Sequence, residues 1–372
     1  MSDWLVHLVQ VGKFGKHPNA DSLSITQVYG QNVIFRTDGF KEGDLAVYIP
    51  PNSVLPMDPE HPLLKDNPGL KPGARIDAVR LRGIFSNGFM VPAKILFSEA
   101  DLQEIPLGTH VADRIGVTKY EDQGDQLSTG GDNERDPGYM PCYTDIEGWP
   151  KYRNHAVIEE GTRVVLTEKI HGANARFCYR DGRLWVGSRT GVKAQYVRAD
   201  GTEGNLWWKV AKELNLEKKF RVLLGLSPQS REDELYDAGI GSVDLQGTVV
   251  FGEVYGQVQD LKYGVNSGAT FRVFDTYNPS LGRYNDWEVT VGIASVMGLE
   301  LVPVLYQGPW KPELEELRNG PSVLYPGHVR EGYVIKPEHE RCAQYNPENR
   351  HAFTGRCIWK FVGEDYKTRK RK

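Results

Sequence analysis

Six short runs of β-branched and aromatic residues dominate the first third of the chain, each broken by Gly, Pro or Asp turns. They are Trp4–Gly12, Ser24–Tyr29, Val33–Thr37, Asp44–Ile49, Arg75–Arg80 and Gly88–Pro92. Their partial two-residue alternation is the pattern of half-buried strands, because successive side chains of a strand point to opposite faces. So many short strands up to residue 118 predict a small barrel. Forty glycines and twenty-two prolines in 372 residues extend that expectation of turns and short connections to the whole chain.

Residues 119–141 change character to Gly, Asp, Gln, Ser and Asn (EDQGDQLSTGGDNERDPG), which offers too little apolar surface to offset the entropy of ordering. A linker is expected there, separating a domain at 1–118 from one at 142–372, as the length itself suggests. Thr144 and Glu147 have the spacing of a capping box for a short helix. Beyond it strands and helices mix. Arg163–Glu168, Ala175–Tyr179, Leu184–Gly187, Thr248–Tyr255, Thr270–Thr276, Gly332–Lys336 and Arg356–Val362 are predicted strands. Leu206, Val210, Leu214, Phe220 and Leu224 predict one helix from Asn205 to about Gly225, and Trp287–Met297 predicts another.

A net charge of −4 and a pI of about 6.2 give no global positive field, so any polyanion must meet a local basic patch. The tail Lys367–Lys372 (KTRKRK) is one candidate, with a solvated end as the equal alternative. Four cysteines without a CxxC pair suit a reducing compartment. His339, Cys342, His351 and Cys357 cluster in sequence, but their spacing matches no familiar zinc site. With no leader-like start and no apolar run near membrane length, the expectation is a cytoplasmic protein away from membranes. A P-loop enzyme is disfavoured because no GxxxxGK[ST] occurs.

Glu168-Lys169-Ile170-His171-Gly172 closes a predicted strand with a turn that glycine permits. A lysine there can raise its amine into a cleft. As a nucleophile it must shed its proton, which desolvation and neighbouring cations favour. Five further segments follow in order: Ser188-Arg189-Thr190, Phe251–Gly256 (FGEVYG), Phe271–Asp275 (FRVFD), Glu331–Lys336 (EGYVIK) and Ile358–Phe361 (IWKF). Singly, each has an innocent explanation. Jointly they supply carboxylates for a ribose or metal, an aromatic ring for a base, and cations for phosphates.

EKIHG, SRT, FGEVYG, FRVFD, EGYVIK and WK, in this order from Glu168 to Lys360, resemble the motifs of covalent nucleotidyltransferases, the polynucleotide ligases and mRNA-capping enzymes. His171 followed by Asn174 is similar to the nick-sealing RNA ligases, a branch holding a bacteriophage enzyme and the RNA-editing ligases; DNA ligases usually carry Asp in place of His171. The resemblance implies an α+β fold with an antiparallel-sheet, ATP-grasp-like adenylation domain. It implies that Lys169 attacks the α-phosphate of ATP, with Mg²⁺ or Mn²⁺ neutralising charge. It further implies that Glu168 contacts adenine and Phe274 stacks on it, while Glu253 contacts the ribose. His171, Asn174 and Arg189 would engage nucleotide or phosphate, Glu331 and Glu253 would bind metal, and Lys360 would contact the α-phosphate. The family's last motif commonly has two lysines around one residue. Here Trp359-Lys360-Phe361 has one, leaving Lys360, Lys367 or Arg356 for the second role.

His17–Leu23 (HPNADSL) and Leu81–Gly88 (LRGIFSNG) resemble segments of OB-fold tRNA-binding modules, although HPNAD is also simply a turn rich in capping residues. A small all-β OB barrel ahead of the ligase core is similar to Deinococcus-type RNA ligases. Lys13, Lys16, Arg80 and Arg82 could track a phosphate backbone, with Arg36 and Lys41 as further candidates. The expected substrate is nicked duplex RNA, or an RNA/DNA hybrid, joined by a monomer. The competing expectations are a DNA ligase, a capping-type guanylyltransferase, or a non-catalytic RNA-binding protein with a decayed pocket.

Overall fold

The computed structural model describes residues 4–120, 133–144, 146–152, 158–226, 232–343 and 355–369. The chain forms two compact units. One is drawn from residues 1–123, 147–154 and 367–370, the other from 124–146, 155–366 and 371–372.

In the first unit all strand pairs are antiparallel. His7–Gln10, Leu45–Ile49 and Phe89–Pro92 form one sheet with Leu45–Ile49 central, and Phe14–His17, Ala20–Val28 and Gln31–Arg36 form a second. Alternation along Leu45–Ile49 sends Ala46 and Tyr48 into a core with Val11, Val33, Phe35 and Met90. Val47 and Ile49 enter another core, with Leu8, Leu55, Leu63 and Val91. That central strand is thus buried on both faces, which is why it reads as a continuous apolar run. The predicted strand Arg75–Arg80 is two pieces, Arg75–Ile76 and Val79–Leu81, the second paired with Ile84–Ser86. Arg82 (φ 48°) and Gly83 (φ 89°) make the turn between them, both left-handed as a two-residue hairpin requires.

Among the described residues the second unit has two antiparallel sheets. The first orders Arg183–Ser188, Ala173–Arg180, Val249–Gly256, Ala269–Asn278 and Arg283–Tyr284. Within this unit the second orders Trp359–Val362, Gly332–Pro337, Arg163–Glu168 and Val304–Pro309. One face of the first sheet, with Phe177, Val186, Val250, Phe271 and Val273, packs under helices carrying Trp207, Val210, Phe220, Leu223 and Ile293. Each large apolar side chain removed from water there contributes roughly 1.5–3 kcal/mol. Its other face shares a cluster with the second sheet, where Cys178, Val249 and Phe251 meet Tyr143, Ile358 and Val334.

Three local expectations are corrected. The single helix from Asn205 is two helices, Leu206–Glu213 and Leu216–Leu223. Asn215 stands between them at φ 52°, a left-handed conformation that ends a helix and that asparagine tolerates. Thr144 and Glu147 cap no helix: Glu147–Gly148 is extended, the helix begins at Trp149, and Thr144 N–H donates to Tyr284 Oη (3.1 Å). Finally, residues 133–141, expected as linker, pack on the second unit. Glu134 N–H donates to Val192 O (3.0 Å), and Met140 is buried with Tyr143 and Val192.

Candidate active site

The turn after Arg163–Glu168 is shaped by opposed demands on consecutive residues. Ile170 is buried with Tyr255, Leu261, Tyr263 and Val302, which leaves Lys169 on the open side with 27% of its side chain exposed. Lys169 N–H donates to Gly332 O (3.0 Å), so the turn continues the pairing with the neighbouring strand. Gly172 lies against the adjacent sheet; a Cβ there would stand 2.2 Å from Val254 O and 3.0 Å from Glu253 Cγ. Only glycine admits that approach, and Gly172 N–H uses it to donate to Glu253 Oε1 (3.1 Å).

Register assembles the remaining groups. Glu168 pairs with Tyr333, so Glu331, just before Gly332–Pro337, comes beside Lys169. Asn174 pairs with Glu253 on the other sheet. Between Phe251 and Gly252 the register with Ala269–Asn278 shifts, since Phe251 faces Asp275 while Gly252 faces Val273. The extra residue is Phe274, re-aimed by this bulge. Its ring lies 4.8 Å from that of Tyr143.

Lys169 Nζ lies 2.7 Å from Glu331 Oε1. Burial opposes the ammonium, but Glu331 and Glu253 outweigh it and raise the lysine above its ordinary value. The groups that converge on the amine are thus the two carboxylates Glu331 and Glu253, which favour its protonated form rather than the neutral one the chemistry requires. Burial also opposes ionised Glu331, yet Lys169 and His171 bring it down to about 2. Glu253, with less compensation, is pushed up to about 7 by burial. His171 Nε2 meets Asp260 Oδ1 at 2.8 Å, and Nδ1 lies 3.5 Å from Glu331 Oε2 and 3.1 Å from Tyr366 Oη. Burial pulls the imidazole down, but its bonds to Asp260 and Glu331 prevail and raise it to about 9.

Glu168 is 1% exposed. Its Oε2 accepts from Val323 N–H (2.8 Å), while Oε1 is buried without a hydrogen-bond partner among the described residues. Asn174 Oδ1 is similarly unmatched. A buried acceptor without a donor is costly, so both atoms suit a ligand carrying donors. Beneath Phe274 lies a buried ion network. Asp275 accepts from Lys336 Nζ (2.9 Å), Arg356 Nη2 (2.6 Å) and Tyr143 Oη (2.9 Å), and Phe274 O accepts from Lys336 Nζ (3.2 Å).

Lys169, Glu168, His171, Asn174, Glu253 and Glu331 are thus joined through direct contacts or paired strands, with Phe274 on the strand beside Glu253. Arg189 is exposed in the tight Ser188–Gly191 loop, where Ser188 N–H donates to Gly191 O (2.9 Å). Lys360 pairs with Val334 on the second sheet. The alternatives for a second cation have partners of their own. Arg356 is committed to Asp275 and Glu340, and Lys367 belongs to the first unit, donating to Asn87 Oδ1 (3.2 Å). Asp260, Tyr263 and the Val323 amide escaped notice because loop residues carry no periodic signal. Lys336 and Asp275 lay inside the noticed motifs, without a visible partnership.

Among the described residues no three His, Cys, Asp or Glu side chains form a ready metal cluster. Of the zinc-spaced residues His351 lies outside the described residues, while His339 Nδ1 bonds Asp286 Oδ2 (3.0 Å). Two acidic groups flanking one lysine fit Mg²⁺ or Mn²⁺, since Mg²⁺ keeps several waters and takes one or two carboxylates with substrate phosphates.

In the first unit HPNAD proves to be a brace. His17 Nε2–H donates to Leu81 O (3.0 Å), Asn19 N–H donates to His17 Nδ1 (3.0 Å), and Asn19 Nδ2 donates to Arg82 O (3.0 Å). The brace presents the hairpin bearing Arg80 and Arg82, both exposed, as are Lys13 and Lys16.

The RNA ligase family profile matches residues 162–362, more than half of the chain, and an OB-fold domain profile matches residues 5–93. No curated protein matches. Among solved structures, a lysine-to-alanine variant of Naegleria gruberi RNA ligase with ATP and Mn has a TM-score of 0.73 at 19% identity, covering 98% of each chain. The Naegleria gruberi RNA ligase with PPi gives 0.69 at 19% identity, again covering 98% of each chain. At this identity the likeness concerns the fold: mixed α+β, mostly antiparallel, with an N-terminal OB-fold domain. Among the described residues no helix is long and apolar enough to cross a membrane. With the motif residues assembled around Lys169 and the family profile spanning them, the chain belongs to the RNA ligase family.

Proposed function

We infer that the protein is an ATP-dependent ligase sealing 3′-OH/5′-phosphate nicks in duplex RNA, through a lysyl-AMP on Lys169. The observation that carries this reading is the Lys169 amine held 2.7 Å from Glu331, with Glu253 also acting on it. Glu331 and Glu253 would hold Mg²⁺ or Mn²⁺, which when bound supplies positive charge against the carboxylates and the phosphates. Lys169, once neutral, attacks the α-phosphorus of ATP. The N–P bond forms as the P–O bond to pyrophosphate breaks, and the protons of the amine leave to solvent. AMP then passes to the RNA 5′-phosphate, and the 3′-hydroxyl attacks that phosphate and expels AMP. All three steps are in-line displacements, so the protein contributes position and charge rather than further covalent chemistry.

Glu168 Oε1 accepts from the adenine 6-amino group, an interaction supported by its buried, unmatched state. Phe274 stacks on the base, Asn174 and Arg189 engage the nucleotide, and Lys360 meets the α-phosphate. Lys13, Lys16, Arg80 and Arg82 of the first unit follow the RNA backbone. The enzyme acts as a monomer in the cytoplasm, with the RNA-binding module within residues 1–118 and the adenylation domain within residues 142–372, joined by the packed segment 133–141 on the adenylation side.

Nicked duplexes with ribose or deoxyribose on each side of the nick test the assignment. Sealing is expected to require ribose at the 3′-OH side, and equal activity on all-DNA nicks would refute it. Labelling with GTP in place of ATP is expected to fail, since guanine presents an acceptor where adenine presents the donor Glu168 needs.

Adenylylation should also depend on pH. Lys169 is raised above its usual value, so the neutral amine is scarce at pH 7 and grows with pH. Glu253, at about 7, gains charge over the same interval and becomes a better cation ligand. The labelling rate is therefore expected to climb from pH 6 to 9; a rate that is level or declines over this range would contradict it.

A further inference from the structure

The loop joining Val249–Gly256 to Ala269–Asn278 contributes nothing to the recognised motifs, yet it grips the catalytic turn at three points. Asp260 Oδ1 accepts from His171 Nε2 at 2.8 Å, and Tyr263 Oη accepts from His171 N–H at 2.6 Å. Gln259 Nε2 reaches Gly172 O at 3.4 Å. The loop is itself fixed: Leu261 and Tyr263 are buried on the chain just past Asp260, and Gln257 N–H donates to Gly268 O (2.9 Å). Tyr263 is held at φ 52°, a left-handed conformation that a tyrosine adopts only when its surroundings impose it.

The geometry points to Asp260 as a positioning residue for lysine adenylylation, acting through His171 on Glu331. This rests on the lysyl-AMP reading above. With Nε2 committed to Asp260, the imidazole is oriented so that Nδ1 meets Tyr366 Oη at 3.1 Å and stands 3.5 Å from Glu331 Oε2, while Glu331 Oε1 holds Lys169 at 2.7 Å. Glu331 is only 9% exposed. When Lys169 forms its bond to phosphorus it ceases to be an ammonium, and a buried carboxylate that loses its partner is strongly disfavoured. His171, held in place by Asp260, keeps a donor beside Glu331 through that change. Removing Asp260 takes away the partner that fixes Nε2 and leaves the ring to Tyr366, so Nδ1 is less well directed at Glu331 when Lys169 departs.

A double-mutant cycle on the full chain, read by label from [α-³²P]ATP retained on the protein, tests this. Asp260→Asn is expected to slow adenylylation at least tenfold, with KM for ATP changed less than twofold. His171→Asn is expected to slow it at least as much, and the double variant no further than His171→Asn alone. Wild-type labelling with an unimpaired Asp260→Asn variant would overturn the assignment, as would independent multiplication of the two defects. Wild-type protein that never retains label would instead count against the lysyl-AMP reading itself. Asp260→Ser, run through the same cycle, gives the same reading should the asparagine variant prove unstable.

Discussion

Lys169→Ala is expected to retain no label from [α-³²P]ATP at any pH or with either metal, and to join no strands starting from ATP. The loss should exceed a thousandfold, because the proposed reaction passes through the Lys169 amine itself. Lys336, in the EGYVIK motif, offers no substitute because it is buried on Asp275. The fold should survive. Alanine removes a charge that is itself opposed by burial, although Glu331 then keeps only His171. A variant that is folded, binds ATP and forms no adduct supports the assignment; labelled Lys169→Ala protein would end it. The same variant given a pre-adenylylated nicked RNA should still complete the last step, since attack by the 3′-hydroxyl no longer involves the lysine.

The largest effect on stability is expected at Asp275, which touches no substrate in the proposed reaction. Its carboxylate is 0% exposed and is the shared counter-ion of Lys336 and Arg356. Burial opposes its charge, but Arg356 and Lys336 prevail and hold it below the usual carboxylate range. Asp275→Ala would leave two buried cations with incomplete compensation: Arg356 retains Glu340 at 2.8 Å, and Lys336 retains Phe274 O and the face of Trp287. Breaking such a buried pair typically costs about 3–5 kcal/mol. Thermal melting should shift downward by roughly 10 °C for a unit of this size. Because Lys336 also fixes the Phe274 carbonyl, the surviving folded fraction should bind ATP more weakly. A melting temperature within about 2 °C of wild type would show that the network is dispensable. The pH dependence has a definite sign. The folded carboxylate is lowered, so its contribution is complete above the ordinary carboxylate range and is lost as pH falls through its folded value.

Much of the site could be read in one dimension. The order and chemistry of EKIHG, FGEVYG, FRVFD and EGYVIK singled out Lys169, Glu253, Phe274 and Glu331 as candidates, and the structure brings Glu253 and Glu331 to the lysine amine while a bulge on the adjoining strand re-aims Phe274. Local constraints were legible for the same reason. A strand's alternation, a glycine at a turn and a run of turn residues express conformational preferences within a few bonds. Asn215 shows where that legibility ends: periodicity ran through it unbroken, and only the left-handed backbone there reveals two helices. The upward shift of Lys169 was illegible for a related reason: the motifs named Glu253 and Glu331 as metal ligands, but only strand pairing sets them close enough to act on the amine.

The amino-acid order by itself determined that the chain is strand-rich and that a barrel module precedes the core, and it named the candidate residues Lys169, Glu253 and Glu331 that folding brings together. The tertiary structure alone decided the upward shift of Lys169, the partnership of Asp260 with His171, the latch of Val323 on Glu168, and the buried ion network below Phe274. The physical reason is that conformational preference acts through the covalent chain over a few residues. Charge compensation and hydrogen-bond satisfaction act through space, between groups that only folding brings within about 3 Å.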